Sequence, residues 1–264
     1  MLCRSLALLL VGQFAFTLAE DSAVAMSLPG VIKTCKIPKT FALTFDDGPY
    51  TWNHALAKLL KDNHATGTFF INGNNWDCIY NENLSAQLKK TFDMGHLIAS
   101  HTWSHPDITE ITDQQLHKQL DLIEKAMIAI TGYKPKYFRP PYGNIIKRNY
   151  DVLHKRGYKV ISWDVDSGDA LHVPVDKIMA RYDRWAKTCP KPHISLNHET
   201  HETTVTKTIP HAVKVLHHAG YKLVSVAECL GLGTKRSDWY TYVGKPKKRD
   251  ASWTCNGTPD PGEA

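Results

Sequence analysis

Phe41-Ala42-Leu43-Thr44-Phe45-Asp46-Asp47-Gly48-Pro49 is an apolar run that stops abruptly at two carboxylates and a turn dipeptide. A short apolar run closed by Gly-Pro reads as a buried strand entering a loop. Two adjacent acids at such a place serve packing poorly and chemistry well. Neighbouring side chains on an extended segment point to opposite faces, so the two acids are not suited to the same task. Where the strand breaks into a turn, one acid can hold a metal while the other handles a proton.

Outward from this run, short apolar segments alternate with helix-period segments from Cys35 to Gly231. The strands expected are Phe41–Phe45, Thr68–Ile71, Leu97–Ser100, Tyr137–Phe138, Lys159–Trp163, Ile194–Leu196 and Leu223–Val226. The clearest helix begins at Thr112, which forms a capping box with Gln115. It carries Leu116, Leu120, Ile123, Met127 and Ile130 on one stripe and stops at Gly132. Gly95, Gly157 and Gly220 punctuate other helices in the same way. About seven strand–helix units without a long spacer predict one α/β domain with a parallel sheet.

The placement of polar residues favours a (β/α) barrel over an open doubly wound sheet. Asp46 and Asp47 follow the first strand, His101 and His105 the third, and Arg139 the fourth. Asp164, Asp166 and Asp169 follow the fifth, and His198 the sixth. In a barrel these strand ends converge on one face, whereas an open sheet spreads them along a crevice. Cys35 precedes the first strand and Cys229 follows the last, so a bridge between them would staple a closed ring, contributing roughly 3–5 kcal/mol. The segment from Gly233, with Trp239, Tyr240, Tyr242 and Trp253, is expected to pack across the barrel as an extension.

Residues 1–19 read as a signal peptide, with Arg4 before an apolar core from Leu6 to Val11 and Thr17-Leu18-Ala19 at the cleavage site. That leaves residues 20–34 as an N-terminal extension, 35–232 as the barrel and 233–264 as the C-terminal extension. The formal charge of +6 becomes +5 without Arg4, too weak and diffuse to indicate nucleic acid. The basic run Lys245–Arg249 reads as a solvated tail. Secretion permits disulfides. Of 6 cysteines, Cys3 leaves with the signal, and an odd set remains: Cys35, Cys78, Cys189, Cys229 and Cys255. Asn83-Leu84-Ser85 and Asn256-Gly257-Thr258 fit the glycosylation pattern.

His101 and His105 lie four residues apart, a spacing that lets both imidazoles face one cation. Two His and one carboxylate leave coordination positions open, as catalytic zinc sites do, and Asp47 is the candidate third ligand. Asp46 is the natural base, kept ionised by a nearby guanidinium. Arg139 opens the rigid loop Arg139-Pro140-Pro141-Tyr142-Gly143, which is suited to aiming the Tyr142 N–H at a developing oxyanion. On the opposite arc, His198 is the candidate acid if a carboxylate raises its pKa, and Asp169 is that carboxylate. His201 is expected to be a loop residue.

Thr44–Pro49, His101–His105, Arg139–Gly143, Asp166–Asp169 and Leu196-Asn197-His198 resemble, in order, the five motifs of the polysaccharide deacetylases, carbohydrate esterase family four. Within that family the chain resembles the secreted fungal chitin deacetylases most. The resemblance spans about residues 35–230 and implies a distorted barrel. It implies a metal held by Asp47, His101 and His105, with Asp46 as base and His198 as acid. It further implies that Arg139 orients Asp46, Asp169 tunes His198 and Tyr142 contributes an oxyanion-hole N–H. The chain departs at Ala170, where the family pattern has Trp after the second Asp; a wall of the acetyl pocket is altered, but no proton-transfer group is lost.

The activity implied is metal-dependent hydrolysis of N-acetyl groups of chitin or N-acetylglucosamine oligomers, with zinc as the expected ion and cobalt or nickel as fitting alternatives. The expected protein is an extracellular or cell-wall monomer with no nucleic-acid or membrane partner. Acetylxylan esterase, peptidoglycan deacetylase and a catalytically silent chitin-binding protein are the rival readings. In the last of these, Tyr50, Trp76 and Trp103 would stack on sugar faces.

Overall fold

The computed structural model describes residues 28–187 and 191–264. The signal peptide, Cys3 and Cys189 lie outside the described residues. The apolar run forms strand β1, Thr40–Gly48. Beside it in the chain come helix α1 (Asn53–Asp62), β2 (Thr68–Ile71), α2 (Glu82–Asp93), β3 (Leu97–Ser100) and α3 (Asp113–Thr131). Short strands β4 (Tyr133–Pro135) and β5 (Tyr137–Phe138) follow, then α4 (Lys147–Lys155), β6 (Lys159–Val160), β7 (Val165–Asp166) and α5 (Val175–Lys187). The chain ends with β8 (His193–Leu196), α6 (Ile209–His218), β9 (Lys222–Leu223), α7 (Val226–Cys229), α8 (Arg236–Trp239) and β10 (Tyr240–Tyr242).

The main sheet is parallel, in the order β6-β5-β3-β2-β1-β8-β7, with β9 also paired to β1. It curls into the distorted (β/α) barrel expected from the polar strand ends and the family resemblance. β1 is central because both its faces are apolar or internally bonded. Phe41 and Phe45 pack outward among Tyr182, Tyr221 and Phe69, while Thr44 and Asp46 share the buried Arg139. The capping box at Thr112, the buried stripe on α3 and the left-handed Gly132 (φ 87°) all occur. Gly132 has a second reason to lack a side chain: a Cβ there would lie 2.1 Å from the Gly244 carbonyl oxygen.

Three details differ from expectation. The predicted fifth strand breaks after Val160, and Val165–Asp166 forms a separate strand on the far edge, paired with β8. Val226 is helical rather than extended, because Ser225 caps α7 through Glu228. The Cys35–Cys229 disulfide is present across 194 residues, beside the paired first and last strands of the main sheet, β1 and β9, but it does not close the ring. β9 lies on the side of β1 opposite β8, and it is β6 and β7 that no pairing joins among the described residues. Ile32 instead pairs beside β6, at Ile161. The bridge thus ties the entry of β1 to the helix after β9.

The C-terminal segment packs across the barrel. β10 pairs antiparallel with β4, Trp239 and Tyr240 are buried, and a second disulfide joins Cys78 to Cys255. Among the described residues no helix is long and apolar enough to cross a membrane.

Candidate active site

The adjacent acids diverge because the strand ends in a bulge. The β1–β2 register shifts between Asp46 and Gly48, and Asp47 takes a left-handed backbone (φ 72°). A bulge of this kind bends the strand and re-aims one side chain. Asp46 keeps the orientation of Thr44, toward the barrel interior, and Asp47 swings to the rim. There it meets the loop after β3, where Thr102 and His105 are also left-handed (φ 72° and 60°). Tyr142, at φ 59°, lays its ring 4.6 Å from that of His105. Such conformations are disfavoured for residues with side chains and cluster where surrounding structure enforces them.

Asp47 Oδ1 lies 3.6 Å from His101 Nε2 and 3.4 Å from His105 Nε2. The three ligand atoms fall within 4.8 Å of one another. Asp47 Oδ1 is buried and has no hydrogen-bond partner. His101 Nδ1 lies 2.7 Å from the Arg139 carbonyl oxygen, which can only accept, so the proton sits on Nδ1 and Nε2 presents a lone pair. Burial, reinforced by the neighbouring His105, holds His101 well below the ordinary histidine pKa and therefore neutral. Lone pairs on a carboxylate and an imidazole facing one another repel unless a cation lies between them. The donor set of two imidazoles and a carboxylate fits a divalent metal such as zinc.

Asp46 sits beside this group, with Oδ2 3.7 Å from His101 Nε2. Arg139 Nη1 donates to Asp46 Oδ1 and to Thr44 Oγ1, both at 2.7 Å, and Nη2 donates to the Ser162 carbonyl at 3.1 Å. The guanidinium also lies over the Phe70 ring, 4.1 Å from its centroid. Burial pushes the Asp46 carboxyl up to about 6, with Arg139 opposing the rise. Arg139 itself is fully buried rather than a surface residue.

Across the cavity, His198 Nδ1 bonds Asp169 Oδ1 at 2.8 Å, and the His198 N–H donates to Asp169 Oδ2 at 2.7 Å. Thr204 Oγ1 donates to Asp169 Oδ2 at 2.9 Å. Burial works against the protonated ring, but the bond and charge of Asp169 outweigh it and raise His198 to about 9. The same bonds overcome burial at Asp169 and hold its carboxyl below the usual range. The two halves of the site are joined by the backbone, where Asp46 N–H donates to the Asn197 carbonyl at 2.9 Å.

Asp46, Asp47, His101, His105 and His198 line a cavity of about 260 Å³, walled further by Tyr142, Trp163, Ala170, Leu171 and Leu196. Ala170 leaves that wall to Trp163, Leu171 and Leu196. Asp164, expected on this face, instead bonds His193 and the Ile194 N–H at the entry of β8, at the other end of the barrel. Trp103 is fully buried and cannot stack on a sugar, whereas Trp76 is exposed at the rim beside Tyr50 and His201.

Two residues contribute that sequence reasoning passed over. Thr44 shares the Arg139 donor with Asp46. Glu199 is fully buried behind the Asp47 turn and accepts from Tyr50 N–H and from Asn53 Nδ2 through both oxygens. Burial raises its carboxyl to about 8 despite those bonds. Its position directly after His198 was the available signal, but nothing in the sequence links it to Asn53.

A family model described as polysaccharide deacetylase matches residues 33–161. A chitin deacetylase from Pestalotiopsis sp is 31% identical over 261 residues, covering 98% of this chain and 86% of the relative. One from Colletotrichum lindemuthianum is 33% identical over 216 residues, covering 79% of this chain and 86% of that one. The solved structure of the chitin deacetylase from that fungal pathogen superposes with a TM-score of 0.75 at 32% identity, covering 80% of this chain and 95% of that one. A family 4 carbohydrate esterase from Streptomyces lividans in complex with acetate gives a TM-score of 0.61 at 28% identity, over 71% of this chain and 92% of that one.

Proposed function

The chain belongs to the polysaccharide deacetylase family, and from that premise we propose that it is a metal-dependent chitin deacetylase, removing acetyl groups from N-acetylglucosamine units to give acetate and glucosamine. The observation that carries the reading is the pair of oppositely poised proton carriers facing one cavity. Asp46 is paired with a buried guanidinium that favours its anion. His198 is raised to about 9 by Asp169 and is cationic at neutral pH.

Asp47, His101 and His105 would hold the divalent ion, with zinc the best match and cobalt or nickel acceptable to the same donors. When bound there, the ion supplies Lewis-acid polarisation of the acetyl carbonyl and of the attacking water. Asp46 accepts the proton of that water as it adds to the carbonyl. Arg139, fixed by Thr44 and Ser162, keeps the base ionised and aimed. The Tyr142 backbone N–H, on its constrained loop, donates to the developing oxyanion. His198 then delivers its proton to the departing nitrogen, because an amine leaves badly as an anion. Asp169 holds the ring in orientation and stabilises its charge.

The hydrophobic side chains of Trp163, Leu171 and Leu196 provide an apolar wall for the acetyl methyl. Chitin or its oligomers are the proposed partner, bound by a secreted monomer whose two disulfides suit an oxidising compartment. Mass spectrometry of defined N-acetylglucosamine oligomers, with and without chelator, tests the proposal. Loss of acetyl groups that stops on chelation and returns with metal is the expected result. Full activity in a His101→Ala enzyme would sink the mechanism.

A further inference from the structure

We propose that Gln119 and the C-terminal segment Thr258–Glu263 form a positioning brace for the loop between His101 and His105, and that this brace sets the affinity for the metal. The proposal rests on the reading of Asp47, His101 and His105 as ligands. It concerns residues that touch neither the cavity nor the reacting atoms.

Gln119, on α3, is fully buried. Its Oε1 accepts from the Trp103 and Ser104 N–H groups at 2.8 and 2.9 Å. Its Nε2 donates to Ser104 Oγ at 2.7 Å and to the Glu263 carbonyl at 3.0 Å. A side-chain amide offers two donor hydrogens and two acceptor lone pairs, and here all are used. One residue therefore joins the middle of the loop to a helix on one side and to the C-terminal segment on the other.

The segment grips the same two residues independently. Gly262 N–H donates to the Ser104 carbonyl, and Ser104 Oγ to the Glu263 carbonyl. Trp103 Nε1 donates to Thr258 Oγ1 at 2.9 Å. Asn74 Nδ2 donates to the Pro259 carbonyl at 2.9 Å, while the Gly73 and Asn74 N–H groups both bond the Trp103 carbonyl at 2.7 Å. The Trp103 ring covers Gly73 so closely that a Cβ there would lie 1.9 Å from it. The Cys78–Cys255 disulfide fastens the segment to the same stretch of chain.

The loop needs such restraint. Thr102 and His105 flank the gripped pair, and both hold left-handed backbones of the kind that persist only where the surroundings over-determine them. His105 supplies one of the three ligand atoms, so rotation of this loop moves a ligand directly. Release of the brace should leave the barrel intact and loosen the metal.

The test is zinc affinity, measured by competition with a chromophoric chelator, alongside thermal melting of the metal-free proteins. The proteins compared are wild type, Gln119→Ala, Thr258→Val and the double variant Cys78→Ser/Cys255→Ser. Gln119→Ala is expected to bind zinc about 10–100-fold more weakly, the range typical of residues that orient ligands. The other two are expected to shift the same way by less. Folded variants that melt lower yet bind zinc as tightly as wild type would overturn the brace alone. If Gln119→Ala does not fold, the Thr258→Val and disulfide-free proteins decide the matter. A wild-type protein that takes up no zinc overturns the metal reading, and the brace with it.

Discussion

Arg139 serves His101 and Asp46 with different atoms: its backbone carbonyl lies 2.7 Å from His101 Nδ1, and its guanidinium donates to Asp46 Oδ1 at 2.7 Å. A single residue just after β5 thus sets the tautomer of one imidazole and opposes the burial that favours protonation of the neighbouring carboxyl. The backbone half of this role survives substitution and the side-chain half does not, which makes the two separable.

Arg139→Met should retain the His101 contact and lose the counter-charge of Asp46. Burial and the neighbouring Asp47 are then opposed only by the His198 charge, so the Asp46 pKa rises above about 6 and the acid limb of the kcat/KM profile moves to higher pH. Removing one partner of a buried ion pair should also lower stability by about 3–5 kcal/mol. An acid limb that stays in place would show that Arg139 does not govern Asp46.

Asp169→Asn removes the charge that raises His198. The ring pKa should fall from about 9, the alkaline limb should move to lower pH, and kcat should drop by about 10²–10⁴ as the acid is lost. Stability follows the same linkage. Because His198 is raised from 6.5 to about 9 on folding, its contribution is complete below pH 6.5 and disappears as pH rises through about 9. The gap between the denaturant midpoints of the two proteins should narrow across that window as pH rises, leaving at the alkaline end only what Asp169 gains from the His198 N–H and Thr204.

His105→Ala and His101→Ala should each abolish deacetylation at sub-millimolar zinc, and chelation should do the same to the wild type in a metal-reversible way. Ligand loss also removes a cation that stabilises the folded state by mass action. Added zinc should therefore raise the wild-type melting temperature and leave that of a His101→Ala/His105→Ala double variant unmoved. Calorimetry with and without metal makes the comparison.

Gly48 and Glu199 are matched in shape. A Cβ on Gly48 would lie 1.7 Å from Glu199 Oε1, and Glu199 is fixed by Asn53 and Tyr50. Gly48→Ala should therefore cost about 1–3 kcal/mol as an overpacked core site does, and should displace the adjacent Asp47. Reduced metal affinity at a temperature where the variant remains folded is the expected readout; unaltered stability would argue against this packing.

Much of the barrel was legible because parallel strands buried on both sides leave apolar runs, and helices leave a 3.6-residue stripe. The fifth strand was misjudged for the same reason. Lys159–Trp163 is apolar enough to read as one strand, but Ile32 takes the place beside Ile161 and the chain restarts as β7 against β8. Pattern reports burial, not which neighbour supplies it. Asp164 failed similarly: its position near a strand suggested the catalytic face, yet β7 begins after it, so it falls at the opposite end beside His193.

By itself the sequence determined which chemical groups stand at the strand ends: a pair of acids, two histidines at a spacing of four, a guanidinium before two prolines, and a histidine on the opposite arc. Residue type and order suffice for that, because strand alternation and helix period are local properties of the chain. Only the tertiary structure decided how the paired acids part company. A bulge at Asp47 turns one toward His101 and His105 while Arg139, from a strand three places away in the sheet, holds the other. It alone decided, too, that Gln119 and the C-terminal segment meet behind the histidine loop. Backbone rotation at one residue and contacts across 144 positions of chain leave no periodic trace in a sequence, since they depend on what the rest of the fold brings near.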